Sequence, residues 1–107
     1  MSITINIYYK GENGNAKKFV NDMISLGIVD EIRKEEGNLR YDYFFPLNDD
    51  NTILLIDSWA SQEALDIHHE LPVMKKISEL REKYDLHMLV EKYQLIEDDG
   101  DNKYIRK

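Results

Sequence analysis

The segment from Thr52 to Trp59 constrains the fold most, because it is apolar on both of its faces. One alternating set contains Ile53 and Leu55, and the other contains Leu54 and Ile56. This pattern is typical of a central strand that is covered on both sides. A chain of 107 residues forms a single core, and its helices can cover only one face of a small sheet. We therefore expect the other face to meet a second sheet, most simply that of another copy of the chain.

The rest of the chain alternates between strand and helix patterns. Period-two alternation predicts further strands over residues 3–9, 38–45 and 87–95. Helical periodicity predicts a region from 15 to 37 that bends at Gly27, and another from 61 to 84 that is broken at Pro72. The order βαββαβ predicts an α+β fold of ferredoxin-like topology, with a four-stranded antiparallel sheet and the helices on one face.

Local signals refine these boundaries. Asn15 and Ser61 are expected to act as N-caps of the first and third helical segments. The run Arg33 to Glu36 is expected to face solvent at the end of the second segment, and Gly37 is a plausible left-handed cap. Residues 1–96 are predicted to form one domain, followed by a polar tail of mixed charge over residues 97–107 that has little to bury.

Composition excludes several classes of partner. The formal charge of −7, from 21 acidic and 14 basic residues, provides no basic patch for nucleic acid or an anionic membrane. The chain has no cysteine, so it has no disulfide, thiol nucleophile or thiolate metal site. Its start lacks signal-peptide features, and no apolar run approaches the roughly 20 residues that cross a bilayer. The expected location is the cytoplasm.

Motifs for common cofactors are absent from the sequence. It contains no Gly-rich phosphate loop, no dinucleotide-binding fingerprint and no serine in a nucleophile elbow. His68 and His69 are adjacent, so on a helix they point about 100° apart and are poorly placed to bind one metal ion. We predict no metal site.

His68 and Trp59 are the strongest candidates for a site. His68 follows Ala64 by four residues and Leu65 by three, so its imidazole points with the apolar stripe toward the sheet. Trp59 closes the preceding strand, so the two side chains are expected to share the rim of one cavity. The alternative is that both are core residues, with His68 hydrogen-bonded to a neighbour.

Other polar and aromatic residues join these candidates. Asp57 alternates with apolar residues and needs a partner, either Arg40 or a tyrosine of a neighbouring strand. Tyr41 and Tyr43 share a strand face, where they serve packing or line a flat cavity. Asn6 lies among apolar neighbours and is a candidate for a specific polar contact, on the pocket side or on the dimer-facing side.

Three strings together resemble the antibiotic biosynthesis monooxygenase family. They are residues 38–44 (NLRYDYF), residues 54–59 (LLIDSW) and residues 63–74 (EALDIHHELPVM). The resemblance implies a dimeric α/β barrel in which two sheets pack face to face, with a pocket between the sheet and the helices of each protomer. Some members oxidise quinols and anthrones without metal, flavin or haem, and others degrade haem. The haem branch is disfavoured, because its signature tryptophan is replaced here by His68.

The resemblance also implies roles for the candidate residues. His68 would accept and return a phenolic proton, Trp59 and Tyr41 would line an aromatic slot, and Asn6 or Arg40 would stabilise the anion. Tyr43, Asp57 and Met74 complete the expected substrate-binding set. Arg40 alternates with Tyr41, so both reach one pocket only if a bulge intervenes.

The leading hypothesis is therefore a homodimeric, cofactor-independent monooxygenase that oxidises a small quinol, polyphenol or similar aromatic. The second hypothesis is a non-catalytic dimeric module that binds a small aromatic metabolite. The third is a structural or interaction protein with a filled core, which predicts no cavity beside His68.

Overall fold

A computed structural model of the protein describes residues 1–97 and 100–107. The strands are β1 (Ile3–Lys10), β2 (Asn38–Phe44), β3 (Thr52–Trp59) and β4 (His87–Gln94). The helices are α1 (Asn15–Ser25), α2 (Ile28–Arg33), α3 (Gln62–His69) and α4 (Val73–Lys83), and a short 3-10 helix spans Asp101–Tyr104. All strand pairings are antiparallel, in the order β2-β3-β1-β4. This confirms the predicted βαββαβ fold.

The strand register divides the sheet into a helix-covered face and an open face. On the covered face, β1 contributes Ile3, Ile5, Ile7 and Tyr9, and β3 contributes Ile53, Leu55, Asp57 and Trp59. These side chains pack against buried residues of the helices, among them Phe19, Met23, Ile32, Leu65 and Ile77. The core is therefore a single layer between the sheet and the helices.

Two of the three local predictions for the helices are correct. Ser61 caps α3, because its Oγ accepts a hydrogen bond from the backbone N–H of Ala64 at 3.1 Å. Gly27 separates α1 from α2 in a left-handed conformation (φ 76°), which glycine adopts without strain. Asn15 is not the cap of α1: Gly14 takes that position, and the Asn15 amide donates instead to the backbone oxygen of Tyr84.

The turn after α2 differs from the prediction. The run Arg33 to Glu36 is not wholly turned to solvent, because Glu35 points inward and Arg33 donates to the backbone oxygen of Tyr41 at 2.7 Å. Gly37 is left-handed (φ 87°), and its carbonyl accepts from Ala60 N–H at 2.8 Å. The turn is thereby fastened to the β3–α3 junction, which places Glu35 beside α3.

The open face of the sheet carries the second apolar set of β3. Leu54 and Ile56 lie there beside Tyr8, with Phe44 and Leu89 on the flanking strands. Phe44 and Leu89 are exposed, while Leu54 and Ile56 are half-buried. This face is not covered by a helix of the described chain.

The predicted tail begins after β4. Residues 98 and 99 lie outside the described residues, so the structure does not test the boundary drawn at 96. Tyr104 and Ile105 are exposed. In the described ranges, none of the helices combines the length and apolar character required to cross a membrane.

Candidate functional site

Trp59 and His68 meet on the covered face of the sheet. Trp59 is the last residue of β3, and His68 lies in the last turn of α3. Their ring centroids are 4.6 Å apart with an interplanar angle of 31°, and the exposed fractions are 0% for Trp59 and 3% for His68. The rings are therefore in contact, so the expected shared cavity does not lie between them.

The hydrogen-bond partner of His68 is Glu35. His68 Nδ1 lies 2.8 Å from Glu35 Oε1 and 3.0 Å from Oε2. Within the described chain, His68 Nε2 makes no hydrogen bond to protein. The Glu35 side chain is 12% exposed, so the pair is shielded from water on most sides. A carboxylate on Nδ1 fixes the ring and leaves Nε2 to exchange a proton with a ligand.

Burial favours the neutral forms of both partners. It raises the pKa of Glu35 to about 7, and the charge of Glu31 adds to this effect. It lowers the pKa of His68 to about 4, with a further contribution from Arg81. The 2.8 Å contact is therefore a hydrogen bond to a neutral imidazole, and Glu35, with its pKa of about 7, is partly ionised at neutral pH. While Glu35 is ionised, Nδ1 carries the ring proton and Nε2 is free to accept one.

Asp57 is a second buried carboxyl, two residues before Trp59. Only 5% of its surface is exposed, and its Oδ1 has no hydrogen-bond partner among the described residues. Burial raises its pKa to about 7, an effect that the nearby Trp59 indole opposes and the charge of Glu35 increases. The predicted partner Arg40 is wrong, and Tyr41, although directly opposite in the register, makes no hydrogen bond to Asp57 within the described chain.

Tyrosines and an arginine extend the cluster along the sheet. Tyr41 and Tyr43 meet edge to face at 5.8 Å, and burial raises the pKa of both phenols. Arg81 of α4 lies over the ring of Tyr9 at 5.5 Å and donates to its hydroxyl at 3.0 Å. The cluster therefore contains a fixed positive charge close to neutral acids.

Several buried polar atoms in this layer have no partner in the described chain. They are Tyr43 Oη, Asp57 Oδ1, Trp59 Nε1 and Arg81 Nε. Buried polar groups are normally satisfied, and orphaned ones mark positions for ordered water or a polar ligand. The cluster thus has both hydrogen-bond donors and hydrogen-bond acceptors that are not used within the described chain.

Two predicted site residues lie on the other face of the sheet. Asn6 is opposite Ile56 and Arg40 is opposite Ser58, so both face away from His68. A bulge does occur between Asn38 and Arg40, but it does not bring Arg40 to the covered face; Arg40 instead pairs with Asp42 at 3.1 Å. Neither residue can stabilise an anion at the His68 site in this protomer, so that role is wrong for both. For Asn6, the register agrees with the other predicted position, on the open face of the sheet.

The remaining predicted residues lie on the covered side. Tyr41, Tyr43 and Asp57 belong to the cluster, and Met74 is partly buried in the first turn of α4. Met74 precedes Arg81 by seven residues, so both lie on the same face of that helix. The structure therefore brings together His68, Trp59, Asp57 and the two tyrosines, with Met74 in the adjoining helix.

The helices leave the covered side of β4 accessible. Met88 and Val90 point to this side in the register, yet they are 44% and 50% exposed. Lys92 lies further along the same side and bonds Gln62 at the start of α3. The covered side of β4 is therefore open to solvent at these residues.

Glu35 and Arg81 were missed from sequence. Glu35 lies 33 residues before His68 and Arg81 lies 72 residues after Tyr9. Both lie in runs of charged residues, a pattern that predicts a solvent-exposed surface. The helical position of Arg81, four residues after the inward Ile77, was the only local signal for either residue.

The fold and the cluster define a ferredoxin-like α+β protein with a group of buried ionisable side chains between sheet and helices. A family model for antibiotic biosynthesis monooxygenase matches residues 2–80. The chain belongs to the antibiotic biosynthesis monooxygenase family, as its sequence predicts.

Individual relatives agree with this assignment. A candidate monooxygenase of Bacillus subtilis (strain 168), YcnE, is 31% identical over 68 residues, which are 64% of this chain and 70% of YcnE. The fold also matches the crystal structure of a candidate antibiotic biosynthesis monooxygenase from Deinococcus radiodurans, with a TM-score of 0.78, 18% identity, and 94% and 97% of the two chains covered. SnoaB, a cofactor-independent oxygenase from Streptomyces nogalater, matches with a TM-score of 0.75, 11% identity, and 92% and 97% covered.

Proposed function

We propose that the protein is a cofactor-independent monooxygenase that oxidises a small quinol, polyphenol or similar aromatic compound. The observation that carries this proposal is the buried His68, which is held by Glu35 at Nδ1 and has Nε2 free of protein hydrogen bonds in the described chain. A neutral imidazole oriented in this way is suited to accept a phenolic proton. The family assignment and the oxygenase SnoaB, which shares the fold, support the reaction class.

The reaction needs little from the protein beyond proton transfer and charge stabilisation. His68 Nε2 takes the proton of the phenol, and the electron-rich phenolate then transfers an electron to oxygen. The guanidinium of Arg81 and the indole N–H of Trp59 are donors that stabilise the anion in a site with little water. Arg81 thus takes the role that the sequence had suggested for Asn6 or Arg40.

In this proposal the substrate approaches along the exposed, helix-facing side of β4. Met88 and Val90 offer an apolar surface there for an aromatic ring. Because Trp59 and His68 are in contact, the ring lies beside the imidazole and not between the two side chains.

Oxygen consumption tests the proposal. Reduced naphthoquinones and anthrones are supplied to the wild-type protein, to His68→Gln and to His87→Gln, a control at an exposed histidine. We expect uptake by the wild type and the control, and a fall of roughly 10²-fold in His68→Gln, as for loss of a positioned base. Absence of uptake with all of these substrates, or full activity in His68→Gln, would contradict the proposal.

The closed contact between Trp59 and His68 is the filled core that the third hypothesis, a structural or interaction protein, predicts. The alternative function is a non-catalytic module that binds an aromatic metabolite without turning it over. This alternative predicts that the same compounds raise the melting temperature without oxygen consumption.

We further propose that the protein is a homodimer formed through the open face of the sheet. Leu54, Ile56, Phe44 and Leu89 supply an apolar surface there, which a second sheet of the same kind covers. Cytoplasmic location is part of the same proposal, since a chain without cysteine suits a reducing compartment.

A further inference from the structure

Glu35 forms part of the wall between the buried imidazole and an outer groove. Its carboxylate contacts His68 Nδ1 at 2.8 Å, and the same side chain lines a groove of about 600 Å³. Apolar residues of the β3–α3 junction and α3 form much of this groove, and Glu36 and Glu63 add carboxylates. The groove is therefore on the far side of Glu35 from the ring of His68.

We propose that Glu35 relays protons between the buried His68 imidazole and water in the outer groove, and that it thereby acts as a positioning residue for the base. This inference rests on the proposed function, because the proton to be moved is that of the phenol. It adds a path by which the proton taken up by His68 leaves the site.

The imidazole passes the proton on without becoming positively charged. His68 Nε2 takes the proton from the phenol O–H, and the phenolate oxygen keeps the electron pair of the broken bond. The proton on His68 Nδ1 passes to the Glu35 carboxylate, so the ring remains neutral. The Glu35 carboxyl then releases its proton to water in the groove, and the reverse sequence returns a proton to the site.

The surrounding charges support a relay of this kind. Arg81 of α4 acts on the imidazole and, like burial, disfavours its cationic form. His69, the neighbour of His68 on α3, has its own pKa lowered by burial and by His68. Glu31 of α2 acts on the Glu35 carboxyl, whose pKa of about 7 allows it both to accept and to release a proton near neutral pH. Asp57 of β3 also responds to the charge of Glu35.

Nitrogen NMR of the histidine rings tests the relay without any substrate. In the wild type we expect His68 to carry its proton on Nδ1 above about pH 8 and on Nε2 below about pH 6, as Glu35 takes up a proton. Asp57→Asn should keep this change of tautomer, which separates the titration of Glu35 from that of Asp57. A His68 tautomer that does not change with pH would overturn the relay.

Hydrogen exchange of the His68 ring tests the route to water. Glu35→Gln cannot carry a proton, so exchange of the Nδ1 proton should slow by roughly 10²-fold, the low end for loss of an acid–base group. Glu36→Gln is the matched control, because Glu36 lines the same groove, and it should exchange at the wild-type rate. Equal slowing in both variants, or no slowing in Glu35→Gln, would overturn the relay.

The experiments distinguish failure of the proposed oxygenase function from failure of the Glu35 relay. A wild-type protein that consumes no oxygen refutes the proposed oxygenase, while the tautomer and exchange measurements still decide whether Glu35 moves protons. An active wild type in which Glu35→Gln keeps both full turnover and its pH profile refutes the relay alone.

Discussion

Replacing Asp57 by Asn should change how the stability of the protein depends on pH. The wild-type carboxyl is 5% exposed, and burial raises its pKa from 3.8 to about 7. The folded state therefore binds more protons than the unfolded state between these two values. Consequently, the contribution of Asp57 to the free energy of unfolding is fully retained below about pH 4 and is lost as pH rises to about 7.

The size of this effect follows from the shift. About three pKa units at about 1.4 kcal/mol each correspond to roughly 4 kcal/mol, as an upper value for the cost of ionising Asp57 in the fold. Asn has the same shape and no charge, so at pH 4.5 the variant should match the wild type within about 1 kcal/mol. At pH 8 it should be the more stable protein by up to roughly 4 kcal/mol.

Urea unfolding measured by fluorescence gives the comparison directly, because Trp59 is the single tryptophan and is buried. Wild type, Asp57→Asn and the exposed-site control Asp50→Asn are unfolded at pH 4.5, 6 and 8 at one protein concentration. Glu35 and His68 titrate in all three proteins, so the difference between variants isolates Asp57. If the wild type and Asp57→Asn keep the same difference at every pH, Asp57 is not ionised against a burial cost and the reasoning fails.

Two further predictions concern the turn after α2 and the open face. Gly37→Ala should destabilise the protein by about 2 kcal/mol more than Gly14→Ala; both glycines are left-handed, but only at Gly37 does a new Cβ come within 2.6 Å of Ala64 Cβ. Equal melting temperatures of the two variants would contradict this clash. Ile56→Lys should convert the proposed dimer to a monomer in light scattering, whereas Ile24→Lys, at an exposed position of α1, should not. A dimer that survives Ile56→Lys would place the interface elsewhere.

The fold was predictable because its signals are local. Alternation in each strand and the broken helical periodicity depend on neighbours in sequence, and they identified every element of the sheet. The errors lie at single positions. Asn15 resembles an N-cap, but Gly14 takes the left-handed conformation that begins α1, and the Asn15 side chain is drawn to Tyr84 by a contact 69 residues away.

The site was predictable only in part, because half of it depends on distant contacts. His68 and Trp59 follow from local spacing toward the core. Glu35 does not, since the turn that directs it inward is held by the bond between Gly37 and Ala60. The sequence was sufficient to exclude Asn6 from the site. Asn6 alternates with Ile5, which points to the core, so the pleat alone places it on the opposite face.

The site combines one permanent cation with three groups whose charge depends on pH. Arg81 supplies a guanidinium and His68 is neutral at pH 7, while Glu35 and Asp57, whose pKa values are raised to about 7, are partly protonated there because burial opposes their ionised forms. In the proposed function, a bound phenolate would add a negative charge and stabilise the protonated forms of both carboxyls. Ionisation of that ligand would then be coupled to proton uptake by the protein, and by linkage the anion would bind more strongly as pH falls toward 7. Glu35 and Asp57 would thus adjust the charge of the proposed site to that of the anion.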